Sequence, residues 1–192
     1  MASRCALKGL LFTILAALTA CSTLPPSPRD VLDEHTGATV IVVGAPIMLA
    51  RVPSAESSHD YLTLVAVSND VAGKYTELLL LYRWSTYFGP VSASPAENAG
   101  ELLLIEIDGH TIELQPLPRL PSGLPRAKDL FVPDKTEGAM RAYVTDLETM
   151  RLIATSHELT VRLTGELLSA PFQLWRDGRP ALALFVKQLS GP

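Results

Sequence analysis

The chain has 192 residues, 47% of them hydrophobic, and a formal charge of −4. That is enough for one domain with a proper core, and the acidic balance argues against nucleic acid as a partner and against electrostatic docking onto anionic lipid. Only two cysteines are present, Cys5 and Cys21, too few and too close to the N-terminus to staple the body of the chain or to build a zinc–thiolate site there.

The first residues carry Arg4 and Lys8 and no acid, followed by an apolar run from Leu10 to Leu18. A basic stretch before a short apolar run is the layout of a secretory signal. The run is about half of the roughly 20 apolar residues that a membrane-spanning helix needs. It ends in Leu18-Thr19-Ala20-Cys21, a branched apolar residue and two small ones before a cysteine. This segment resembles the lipobox of bacterial lipoproteins. The resemblance implies that residues 1–20 are removed as a signal peptide and that Cys21 becomes the lipidated N-terminus. It would carry a thioether-linked diacylglycerol and a further acyl chain, such as palmitate, on its amine. Several chains hold a protein on a membrane far more firmly than one. Ser22 stands where lipoproteins kept in the inner membrane commonly have Asp, which implies the outer membrane, with the domain in the periplasm or at the cell surface. The resemblance covers the signal and the modification site and implies nothing about the fold. The remainder is similar only to small uncharacterised lipoproteins of proteobacteria. Loss of Arg4 and Lys8 takes the mature charge two units lower, to −6, so lipid is the expected means of attachment.

Residues 21–38 read as the lipidated cysteine and a tether containing Pro25, Pro26 and Pro28. An extended polyproline stretch at about 3.1 Å per residue would lift the domain some tens of ångströms from the bilayer. A single β-rich domain is expected over 39–192. Strand-like runs cover 39–43 and 47–50. A hairpin joins 61–69 to 75–88 through a loop at 69–73, with Leu78, Leu80, Tyr82 and Trp84 on one face and Glu77, Arg83 and Ser85 marking the other, as in a half-buried strand. A second hairpin joins 101–107 to 110–115 through Asp108-Gly109. Residues 116–133 hold five prolines and read as a long loop, followed by a strand at 141–145. Leu147, Met150, Ile153 and Ala154 fall at helical spacing, with Thr145 or Asp146 as N-cap. Strict alternation returns at 158–165, with 170–175 as its partner strand. Residues 180–189 fit a short terminal helix, with a final strand as the alternative. The expected fold is mainly β within the α+β class: an antiparallel β-sandwich, or an open antiparallel sheet, with one or two short helices.

His35, His59, His110 and His157 each have an acid within two positions, but they fall in different elements and none forms a metal-ligating pair. No G-x-S-x-G elbow is present, and adjacent Ser156 and His157 are poorly placed for proton transfer. The sequence therefore nominates no catalytic residue, no metal site and no cofactor. Tyr82 and Trp84 read as core. Tyr87 and Phe88, with Arg119, Arg126 and Lys128 of the Pro-rich loop, form the candidate interaction surface, and Trp175 is a further aromatic that could join it. The expected role is that of a lipid-anchored envelope protein acting as a non-enzymatic binding or assembly module. Its partners would be the membrane, through the lipid on Cys21, and another envelope protein or the wall polymer, with no nucleic acid. The alternatives are a small envelope hydrolase whose site only folding assembles, and a carrier of a lipid or apolar ligand.

Overall fold

The computed structural model describes residues 24–33, 37–51, 60–85, 101–121, 124, 140–166 and 170–191. In chain order these form β1 (Arg29–Asp33), β2 (Ala38–Val42), β3 (Ile47–Arg51), β4 (Asp60–Val71), β5 (Lys74–Ser85), β6 (Leu103–Ile107), β7 (His110–Leu114), β8 (Met140–Val144), α1 (Leu147–Thr155), β9 (Leu159–Leu163), β10 (Phe172–Arg176) and α2 (Arg179–Leu189). All strand pairs are antiparallel, in one open sheet ordered β1-β2-β4-β3-β10-β9-β6-β7, with β5 on the other edge of β4 and β8 beyond it.

β2 and β3 share one edge of β4 end to end, separated by the bend Val43–Pro46. The long β4–β5 hairpin is therefore the spine of the sheet. Among the described residues no ladder closes the sheet, but one bridge between Pro116 and Tyr143 sets the chain after β7 beside β8. Its flanking hydrogen bonds run from Leu117 N–H to Ala142 O and from Val144 N–H to Gln115 O.

Both hairpin turns follow from local chemistry. Ala72 and Gly73, like Asp108 and Gly109, adopt positive φ, the condition for a type I′ turn whose twist matches the strands. The loop expected at 69–73 is thus tighter than its sequence suggests, and Asn69 to Val71 remain in β4. The open choice at the C-terminus resolves as helix: Pro180 sits in the first turn of α2 and Lys187 in the last. Asp146 is the N-cap of α1, accepting a hydrogen bond from Thr149 N–H at 2.6 Å.

One face of the sheet carries Ile47 and Leu49 of β3, Leu62, Leu64 and Ala66 of β4, Leu79 and Leu81 of β5, Ile105 of β6, Val161 of β9 and Phe172 of β10, all buried. Met150 and Ile153 of α1 and Leu182 and Phe185 of α2 are buried with them. β5 is covered on both faces, where its alternation suggests a half-buried strand. Leu79 and Leu81 lie under the helices, while Leu78, Leu80 and Tyr82 on the opposite face are buried as well. A strand covered on both faces needs a continuous apolar run, which Leu78-Leu79-Leu80-Leu81 provides. β6 and β9 keep the alternation of a sheet with one wet face: Thr160 Oγ1 donates to Glu106 Oε2 at 3.3 Å across the outside.

β1 was not foreseen. Residues 29–33 fall within the stretch expected as tether, yet they pair with β2 from Arg29–Val42 to Asp33–Ala38. They contain no alternation to read, and their strand conformation comes from the β2 edge on which they lie.

Candidate functional site

Three aromatics, Tyr61, Trp84 and Trp175, gather at one end of the spine. The two-residue turn at Ala72-Gly73 sets Tyr61 opposite Trp84 in the β4–β5 register, and the rings stack at 4.1 Å and 12°. Trp84 is buried and its indole N–H donates to Thr63 Oγ1 at 3.1 Å. Trp175 of β10 leans on the other side of Tyr61, with centroids 4.9 Å apart and planes at 57°. β10 shifts register between Leu174 and Arg176, and such a shift re-aims the side chains around it. Trp175 is 57% exposed. The result is a rigid shelf: a buried, hydrogen-bonded indole, a phenol ring stacked on it, and an exposed indole at the edge.

The other side of the same strand ends holds charge. Arg51 donates to Asp60 Oδ2 from Nη2 at 2.9 Å and from Nε at 3.2 Å, and Arg83 Nη2 stands 3.6 Å from that oxygen. The Arg51 guanidinium also lies 4.4 Å over the Phe172 ring. These groups fix the ends of β3, β4, β5 and β10 from below and give the shelf a stiff base.

A second polar cluster ties three loops together. Asp108 Oδ1 accepts from the backbone N–H of His157 at 3.0 Å and of Glu158 at 2.7 Å. These two bonds, the Glu158 one foremost, hold the Asp108 carboxyl below its ordinary pKa. Arg179 forms a two-point pair with Asp177, at 2.9 Å and 2.8 Å, and lowers that carboxyl likewise. The same guanidinium donates from Nη1 to the carbonyl of Ser156 at 2.6 Å and of His157 at 3.3 Å. Ser156 Oγ donates to Ile153 O at 2.8 Å, so this hydroxyl closes the end of α1. The adjacent serine and histidine serve as loop architecture, and the charges around them are matched to backbone groups of the same loops.

Of the residues nominated from sequence, Arg119 is described and exposed, after the Pro116 bridge. Tyr87, Phe88, Arg126, Lys128 and Cys21 lie outside the described residues, as do His35 and His59. His110 opens β7 and His157 follows α1, both exposed. Tyr82 and Trp84 are buried, as read. Tyr61 escaped the sequence reading, although the register imposed by the Ala72-Gly73 turn would have placed it beside Trp84. Where α1 and α2 meet the bend at Val43 and Ala45, the apolar side chains leave a void of about 10 Å³, room for little more than a water molecule and too small for a lipid chain. No helix among the described residues is long and apolar enough to cross a membrane. Compared with protein-family models, with curated proteins and with solved structures, the chain matches none.

Proposed function

We propose that this protein is a lipid-anchored module of the bacterial envelope that works by binding, with the Trp175 shelf as its contact surface. The observation that carries the binding role is the exposure of the Trp175 indole on a stack whose inner ring, Trp84, is buried and hydrogen-bonded, with a partly buried Tyr61 between them. An indole left in water loses the stabilisation of burial, and a preformed aromatic platform lowers the ordering cost of contact. Its electron-rich face suits the polarised C–H groups of a sugar ring in the wall polymer, or a proline or apolar side chain of an envelope protein. The anchor is supported by Leu18-Thr19-Ala20-Cys21 after the basic and apolar N-terminal segments. Ser22 supports the outer membrane as the address.

Binding of the lipidated protein to purified wall polymer and to envelope extract, compared with Trp175→Ala, tests this role. Trp175→Ala should lose the specific contact while keeping the thermal stability of the parent, because the ring is largely outside the core. Equal binding by parent and variant to both preparations would remove the shelf from the account.

A further inference from the structure

The chain reaches the sheet along a defined path. Pro26 and Ser27 lie so close to Gly44 that a Cβ at Gly44 would collide with both of their carbonyls. Two residues later Arg29 pairs with Val42 and β1 begins. Ser27 and Pro28 line a shallow groove together with Leu184, Lys187, Gln188 and Gly191 at the carboxyl end of α2. The proline-rich segment is therefore held on the domain from Pro26 onward, which shortens the spacer expected from sequence. The five steps from Cys21 to Pro26 span at most about 18 Å. A domain of this length is about 40 Å across. With lipid on Cys21, so short a span would keep the surface around Pro26 nearest the bilayer and the far side of the domain away from it.

The side chains at this root suit that position. Lys187 and Gln188 are exposed on the last turn of α2, and Arg151 Nη2 donates to Ser190 Oγ at 3.3 Å just beyond it. Leu24 projects into solvent, three residues from Cys21. In a mature chain of charge −6, a cationic end beside the anchor is the end that an anionic bilayer tolerates best. We propose that the face formed by the tether root and the carboxyl end of α2 rests on the bilayer, with Lys187 and Arg151 toward lipid phosphates and Leu24 in the interface. This rests on lipidation at Cys21. Lipid supplies the attachment, and the docked prolines and the two cations set the orientation.

The mature chain has no cysteine besides Cys21, so single probe sites can be added. Full-length protein carrying Gln188→Cys or His110→Cys is purified in lipidated form, labelled with a fluorophore and reconstituted into phosphatidylethanolamine–phosphatidylglycerol vesicles containing a nitroxide-labelled phospholipid. His110 opens β7, at the opposite end of the strand order from β1 and its tether root. Quenching several-fold stronger at residue 188 than at residue 110 is expected. Equal or reversed quenching on vesicles that still float with the protein overturns the orientation and leaves the anchor standing. Protein that separates from the vesicles on flotation overturns both.

Discussion

Arg179 is where three loops meet, and its pairing with Asp177 gives the fold a pH dependence with a definite sign. The hydrogen bonds from Arg179 hold the Asp177 carboxyl below its ordinary value of 3.8. A carboxyl whose folded pKa is depressed stabilises the fold fully above its unfolded value and loses that contribution as the pH falls through the folded one. Thermal melts of the parent should therefore weaken on acidification below the ordinary carboxylate range, and Asp177→Asn should show a shallower decline there. Parallel acid profiles would mean that the pair contributes nothing. Tyr143 is the opposite case. It is fully buried, its hydroxyl donates to the Glu101 carbonyl at 3.2 Å, and burial pushes its pKa up. Its contribution is complete below the ordinary tyrosine value and is lost as the pH rises toward the folded one. Tyr143→Phe should cost about 1 kcal/mol in denaturant titrations near neutrality and should flatten the alkaline limb. At this scale the sequence was partly legible. Trp84 and Trp175 stand out in the sequence as aromatics with opposite fates, whereas Asp108 binds residues 49 and 50 positions away and Arg179 binds residues 22 and 23 positions away, with no local pattern.

Elements whose form is set within a few residues read well. The Asp108-Gly109 turn, the Asp146 cap and the apolar spacing of α1 all carry their cause beside them. The β4–β5 turn was harder to delimit because Ala72 occupies a positive-φ position without the side chain that favours it. An L-residue other than Gly, Asn or Asp pays about 1–2 kcal/mol for that conformation. Ala72→Asn, which creates the preferred Asn-Gly turn, should raise stability by about 1 kcal/mol. An unchanged denaturation midpoint would show that the strain is relieved elsewhere. β5 was misread as half-buried for a reason of the same kind. Alternating punctuation by Glu77 and Arg83 suggests a wet face, but the cover supplied by α1 and α2 is a long-range fact. β1 lay still further from view, since five residues after a proline run become a strand only through the free edge of β2.

For the whole molecule, an open sheet packed against two helices makes a core in which no described residue is a cysteine, which fits the proposal that Cys21 is reserved for lipid. On the proposed lipidation of Cys21, the docked prolines would hold the domain close to its anchor and fix which side faces it. In that proposed arrangement the shelf of Trp175 would lie on a body of constrained orientation, useful for meeting a fixed envelope component. All of this depends on the chemistry at Cys21, where the sequence was most explicit. Intact mass measurement of the membrane-extracted protein tests it most directly. A chain beginning at residue 21, heavier than its polypeptide by a diacylglyceryl group and an acyl chain, is the result expected, with Cys21→Ala unprocessed and carrying no lipid. An unacylated chain, or acylation that persists in Cys21→Ala, would contradict the account.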